Sequence, residues 1–323
     1  MSKILPEVSK QINSKDIQEV IEKNFSSIMP AWATTQMTWV NGVYETFHDH
    51  EKFMIVMHLL KKTFDFYSKN FVKLNYEEYF DQTKIEIEAI NIMEISKFLD
   101  MPKETTRRKI NELEKLGTIK KIKKKFIIDR DTWPNIQPEE TIKRMSKFLS
   151  TLSKICFSDG IISKPISSED ITKTCKEYFS YIWKLYYEMQ LPFLLSYKKL
   201  YGDLETFHIN GIVVINQILN SKKNDNSKMS KKFYIEKYFL DNKNNSGGIN
   251  AMSISDITGI PRATVIRKLK KLVKNKYLKI NKKKHYFTTG INAKKILYAQ
   301  KNIFKDLSKL TSNVYNLTLI KGN

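Results

Sequence analysis

Cationic side chains at helical spacing are the groups in this sequence with chemistry to offer. Between Pro102 and Gly117, the residues Thr106, Ile110, Leu113 and Leu116 recur at helical spacing and predict one apolar stripe. Lys103, Thr105, Arg107, Arg108 and Lys109 are left for water or a partner. A second set, Arg262, Thr264, Arg267 and Lys268, stands in the same arrangement further on. Guanidinium and ammonium groups match phosphate oxygens or the paired acceptors O6 and N7 of guanine, and a threonine methyl suits the thymine methyl. Each set is followed by a lysine run, Lys123, Lys124 and Lys125 in one case and Lys282, Lys283 and Lys284 in the other. Such runs fit phosphates or a narrow A/T minor groove. The chemistry on offer is therefore non-covalent recognition of a polyanion, with Lys103, Thr105, Arg107, Arg108, Arg262, Thr264, Arg267 and Lys268 assigned to base edges.

The surrounding residues predict the elements that hold these groups. Pro102 suits a first helical turn, and Gly117 suits the residue just past a helix end, where φ turns positive. A short amphipathic helix, Met93 to Leu99, precedes through Asp100 and Met101, and Ile119–Ile122 with Phe126–Ile128 forms a hairpin behind. The same order returns about 159 residues later: Ser253–Gly259, then Pro261–Leu272, then Leu278–Ile280 and Tyr286–Phe287. Thr105 aligns with Thr264, Arg108 with Arg267, Lys109 with Lys268 and Leu113 with Leu272. Glu104 becomes Ala263, Arg107 becomes Ile266 and Gly117 becomes Lys276, so the two helices differ in what they present. Glu104 either accepts from cytosine or holds Arg108 one turn on, the second fitting better.

The flanks repeat as well. Asp16–Ile28 predicts a helix that Pro30 ends or kinks, and Asp170–Ile182 repeats it. An aromatic helix follows in each copy, through Trp32, Trp39, Tyr44, Phe47, Met54 and Leu60, and through Phe193, Tyr197, Phe207, Val213 and Leu219. Glu45–His48 and Glu205–His208 are the same tetrapeptide, which reads as an equivalent Phe-His pair with a conformational role. In His48-Asp49-His50-Glu51, i and i+2 side chains diverge on a helix, and the second copy keeps only His208, so no metal is assigned. Trp32, Trp39, Tyr44 and Phe47 are read as core rather than as the lining of an effector pocket. Pro138–Ile155 and Asn292–Leu310 each predict a closing helix. The resulting division is a flexible leader (1–13), a first repeat (14–157), a linker (158–166) and a second repeat (167–323), each repeat with an ordinary core of its own.

Charge and composition narrow the function classes. The chain has 323 residues, is 41% hydrophobic and carries a formal charge of +22, which favours a polyanion or an anionic surface. An A/T-biased genome would spread lysine evenly, whereas residues 262–284 hold eleven cations and no acid. No apolar run approaches the roughly 18–20 residues of a membrane span, and the N-terminus lacks a signal-peptide core. Cys156 and Cys175 are expected as packed thiols in a cytoplasmic protein. The sequence has no phosphate-binding glycine loop, no zinc-ligand spacing and no nucleophile–base motif, so neither an enzyme nor a cofactor is expected.

Residues 89–129 and 249–289 resemble the winged helix-turn-helix domains of bacterial transcription regulators of the MarR, GntR and IclR kinds. Ile95–Leu99, Pro102, Thr105, Arg108, Leu113, Glu114–Gly117 and Ile119 carry the resemblance. It implies a mainly α fold with small β-hairpin wings, in which flanking helices pack two tandem repeats as a pseudo-two-fold dimer within one chain. The implied function is sequence-specific regulation of transcription from an imperfect palindrome in double-stranded, A/T-rich DNA, with RNA polymerase as a further partner. The implied setting is the cytoplasm and nucleoid, as a monomer with further oligomerisation left open. A plasmid- or phage-type replication initiator and a nucleoid-associated A/T-binding protein are the alternatives.

Overall fold

The computed structural model describes residues 11–87, 91–122, 125–129, 138–222, 247–289, 291 and 293–321. It is mainly helical with two small antiparallel sheets. The first half runs α1 (Ser14–Lys23), α2 (Phe25–Phe47), α3 (His50–Lys69), α4 (Tyr76–Phe80), β1 (Lys84–Ile87), α5 (Ile92–Phe98), α6 (Lys103–Lys115), β2 (Ile119–Ile122), β3 (Lys125–Asp129) and α7 (Glu139–Ser158). The second runs α8 (Ser168–Glu177), α9 (Phe179–Tyr201), α10 (Leu204–Lys222), α11 (Ala251–Thr258), α12 (Arg262–Lys274), β4 (Leu278–Ile280), β5 (Tyr286–Thr288) and α13 (Ala293–Lys321). Most of the leader, 1–10, lies outside the described residues, as do residues 223–246 between α10 and α11.

Local chemistry sets the helix boundaries, and it corrects several expectations. Asn13 caps α1 and Ser167 caps α8 by accepting backbone N–H bonds. Pro30 does not end the helix: the chain turns at Asn24, and Pro30 lies inside α2, as Pro192 lies inside α9. Each long aromatic helix is instead two helices. The first is broken at His48 (φ 48°) and the second at Gly202 (φ 86°), both in the left-handed region. Asp49 and Asp203 then start α3 and α10 by accepting from the amides of Glu51 and Thr206 at 2.9 and 2.7 Å. The equivalent residues are therefore Asp49 with Asp203 and Glu51 with Glu205. Glu45–Phe47 closes α2 with His48 as its cap, whereas Glu205–His208 lies in the first turns of α10, so the shared tetrapeptide marks no shared position.

Packing crosses between the halves. Helix α3 lies on α9 and α10 on α2, while α1 lies on α13 and α8 on α7. Trp39 meets Tyr186 and Phe193 edge-on at 6.1 and 6.4 Å, Phe64 meets Phe179 at 6.2 Å, and Phe25 meets Phe304 at 5.9 Å. Asn316 exchanges two hydrogen bonds with the Ile12 backbone, and the Tyr315 hydroxyl donates to Leu149 O at 2.6 Å. The expected pair of separate cores is thus replaced by one hydrophobic cluster running from Ile12 to Tyr315. Neither half can bury its α3 or α10 face alone. Trp32 and Trp39 are core residues beside a cavity of about 20 Å³, lined also by Gln36 and Gln190 at equivalent positions of α2 and α9. Cys156 and Cys175 are buried free thiols, both pushed up to about 12 by desolvation.

A Cβ at Gly202 would be strained by the left-handed backbone and would sit 3.3 Å from the Lys271 Nζ. Gly202→Ala is expected to lower unfolding stability by about 1–2 kcal/mol in a denaturant titration. An unchanged midpoint would show that the α9–α10 turn tolerates another conformation.

Candidate nucleic-acid interface

The two basic helices are held by matching local devices. Asn91 caps α5 and Asn250 caps α11. The following turn uses a left-handed residue each time, Asp100 (φ 48°) and Gly259 (φ 68°). A serine hydroxyl closes it: Ser96 Oγ donates to Met101 O at 2.6 Å, and Ser255 Oγ donates to Ile260 O at 2.8 Å. Pro102 and Pro261 precede α6 and α12 as their caps. At the far end Gly117 (φ 76°) and Lys276 (φ 59°) turn the chain, and Thr118 and Tyr277 donate back to Leu113 O and Leu272 O at 3.1 and 2.9 Å. The turn survives without glycine because those back-bonds remain. Strand β3 pairs with both β2 and β1, giving the antiparallel order β1-β3-β2. In the second half β4 pairs with β5, and among the described residues an isolated bridge, Ile249 to Tyr286, stands beside them.

The inner faces bury the predicted apolar residues, Thr106, Ile110 and Leu113 in α6 and Val265, Leu269 and Leu272 in α12. Leu116 is the exception, 54% exposed at the end of α6. Each inner face also carries a lysine where helical spacing predicts an outward one. Lys109 is 7% exposed and Lys268 9%. Lys109 pairs with Asp49 and, at 3.4 Å, with Glu51. Lys268 pairs with Asp203 at 2.7 Å and with Glu205 at 3.4 Å. The assignment of Lys268 to base edges is therefore corrected: its ammonium is turned into the fold by the acids that open α10. Burial pushes the Asp203 carboxyl up, but hydrogen bonds from Lys268 and from Thr206 outweigh it and hold the group at about 2. Lys198 of α9 adds a clamp on the first half alone, pairing with Glu51 at 2.9 Å and donating to Leu99 O and Asp100 O at 3.2 and 2.9 Å. These clamps escaped the sequence reading, although the Asp-x-Glu spacing of Asp49/Glu51 and Asp203/Glu205 was there to find.

The outward faces hold the remaining predicted residues. Lys103, Arg107 and Arg108 are exposed on α6, as are Arg262 and Arg267 on α12, and Thr105 and Thr264 are half-buried. Glu104 pairs with Arg107 rather than Arg108, and Arg108 reaches Glu112 at 4.0 Å. Lys282, Lys283 and Lys284 are exposed on a hairpin tip ordered by Asn281, whose side chain accepts from the His285 amide at 3.0 Å. Lys123 and Lys124 lie outside the described residues, and of Lys125 only the backbone, in β3, is described.

Between the two clamps the halves meet through histidines. His50 Nε2 and His208 Nδ1 are 3.2 Å apart, and the other His208 nitrogen contacts Asn41. Burial holds His50 down at about 4, against Asp49 and Asp203, which favour its proton, and with Lys109, which opposes it. Burial and the neighbouring His50 hold His208 well below its ordinary value. Among the described residues no set of three potential ligands is placed to hold a metal ion, and no helix is long and apolar enough to cross a membrane. In comparisons with protein-family models, curated proteins and solved structures, nothing matches the chain.

Two outcomes are expected. Lys268→Ala removes the buried cation shared by Asp203 and Glu205, leaving Asp203 to Lys271 at 3.1 Å, and should destabilise the fold by roughly 2 kcal/mol, whereas Lys270→Ala, exposed two residues on, should stay within about 0.5 kcal/mol. Equal effects in a denaturant titration would refute the clamp. The histidine pair is neutral when folded, so its contribution is fully present above the ordinary histidine value near 6.5 and is lost as pH falls toward about 4. Unfolding stability measured at pH 7.5, 6 and 5 should fall less steeply for His50→Gln/His208→Gln than for the wild type.

Proposed function

We propose that the chain is a sequence-specific double-stranded DNA-binding protein that regulates transcription, with two winged helix-turn-helix units in one polypeptide acting as a pseudo-dimer. The observation that carries this reading is the outward face of α12. Arg262, Arg267, Lys270 and Lys274 are exposed there, no carboxylate among the described residues pairs with them, and an exposed three-lysine tip follows. The helix–turn–helix order before each hairpin and the β1-β3-β2 sheet support the winged-helix part. The reciprocal packing of α3 on α9 and α10 on α2 supports the pseudo-dimer. In this reading α6 and α12 enter successive major grooves, about 34 Å apart along the duplex. Lys103, Thr105, Arg107, Arg108, Arg262, Thr264 and Arg267 meet bases and adjoining phosphates, and the tips lie along the backbone. RNA polymerase is the downstream partner such a regulator would act on.

Selection of bound duplexes from a random pool, with the mass of the complex measured, tests this. The expected result is two unlike half-sites about one helical turn apart, held by one chain roughly a thousandfold more tightly than scrambled DNA at about 0.15 M salt. Lys283→Ala should weaken binding to every sequence alike and reduce the salt slope by about one. A perfectly symmetric site, or two chains on each site, would contradict the pseudo-dimer.

A further inference from the structure

The two basic helices are not equivalent in charge, and the difference lies in their outward residues. Helix α6 carries five cations and three acids, Glu104, Glu112 and Glu114, whereas α12 carries six cations and no acid. Position by position, Lys103, Glu104, Arg107, Arg108 and Asn111 stand where Arg262, Ala263, Ile266, Arg267 and Lys270 stand in the second half. Glu104 is 70% exposed in its side chain and forms an ion pair with Arg107, itself 56% exposed. An exposed pair of this kind contributes little to folding. Its effect is on what can approach. A carboxylate carried into a groove lined by phosphates is repelled unless a base presents a donor to it, and the cytosine N4 amino group is the donor it suits. Arg107, already oriented by Glu104, suits guanine O6 and N7. Ala263 and Ile266 offer only methyl surface, complementary to thymine methyl groups.

Resting on the DNA-binding reading, we propose that the helices divide the work: α12 is the electrostatic anchor, and α6 is the selecting helix, with Glu104 the residue that sets a requirement for a C·G pair in its half-site. Lys270 and Lys274 supply attraction that is indifferent to sequence. Glu104 subtracts attraction from every site that lacks its donor. The larger sequence-indifferent attraction and the C·G requirement therefore reside in different halves of the chain, and the bound site is C·G-containing on one side and A/T-tolerant on the other.

Three variants of the full chain, each checked for unchanged circular dichroism, test the division by duplex selection and by salt titration of affinity. Wild-type protein is expected to discriminate about ten- to a hundredfold at one C·G pair of one half-site. Glu104→Ala should lose that discrimination while binding scrambled DNA more tightly. Glu104→Gln should move the preference at the same pair from cytosine toward adenine, whose N6 and N7 an amide matches. The double variant Lys270→Gln/Lys274→Gln should keep the selected sequence and lower the salt slope by about two. If Glu104→Ala binds with an unchanged base preference, or if the double lysine variant changes the selected sequence, the division is overturned while DNA binding stands. If the wild type binds no duplex at all, the DNA-binding reading itself fails, and this inference with it.

Discussion

The placement of both basic helices depends on one kind of contact, a nearly buried lysine on the inner face closed by two carboxylates from the start of a neighbouring helix. Lys109 with Asp49 and Glu51, and Lys268 with Asp203 and Glu205, are the two instances. A lysine in that position is tolerable only if it is paired, since an unpaired buried charge costs several kcal/mol. The acids have a second duty, because Asp49 and Asp203 also cap α3 and α10. Capping and clamping by the same carboxylate fix the direction of α6 against α3, and of α12 against α10, more tightly than apolar contact alone, which tolerates sliding. The outward cations are presented by helices whose rotation is set from behind.

The second constraint is that the halves share a core. With α3 on α9 and α10 on α2, the helices that carry the clamps are themselves packed against the opposite half. His50 and His208 join at the middle of this arrangement, and Lys198 reaches from α9 to the turn between α5 and α6. The position of each basic helix is thus tied to the other half through buried, hydrogen-bonded groups rather than through the connecting segment between α7 and α8. Sheet and turn details vary around this frame. Among the described residues the first half has a third strand where the second has a single bridge, and Gly117 is matched by Lys276 in the same left-handed conformation. Chemical identity changes most on the outward surface, where Glu104 and Arg107 give way to Ala263 and Ile266 and no packing restricts the residue type.

Much of the architecture is legible in the residues. The 3–4 spacing of Ile110 and Leu113, or of Leu269 and Leu272, specifies a helix and its buried side from local periodicity alone, and Gly117 announces a helix end for steric reasons. The hairpins and the recurrence of the helix–turn–helix order before each of them follow from the same kind of pattern. The exposed cations Lys103, Arg107, Arg108, Arg262 and Arg267 were identifiable because a helix with one apolar stripe has only one other side. Local pattern failed where two explanations share a sequence. Pro30 looks like a helix end but lies inside α2, and the repeated Glu-Thr-Phe-His tetrapeptide falls on two different structural positions.

What the sequence by itself determined is thus the helix–turn–helix–hairpin order around each basic helix, the apolar faces and the clustering of positive charge, which local spacing makes visible, whereas the helix breaks at His48 and Gly202 and the elements α4 and β1 were not legible there. Tertiary structure alone decided that Lys109 and Lys268 turn inward, since their partners lie some sixty residues away on other helices, and whether an amphipathic lysine snorkels or pairs depends on what is packed over it. It alone decided that there is one core instead of two. A helix face that is apolar enough to be buried carries no mark of which half of the chain will cover it, and that choice is made only when shape and charge meet across the interface.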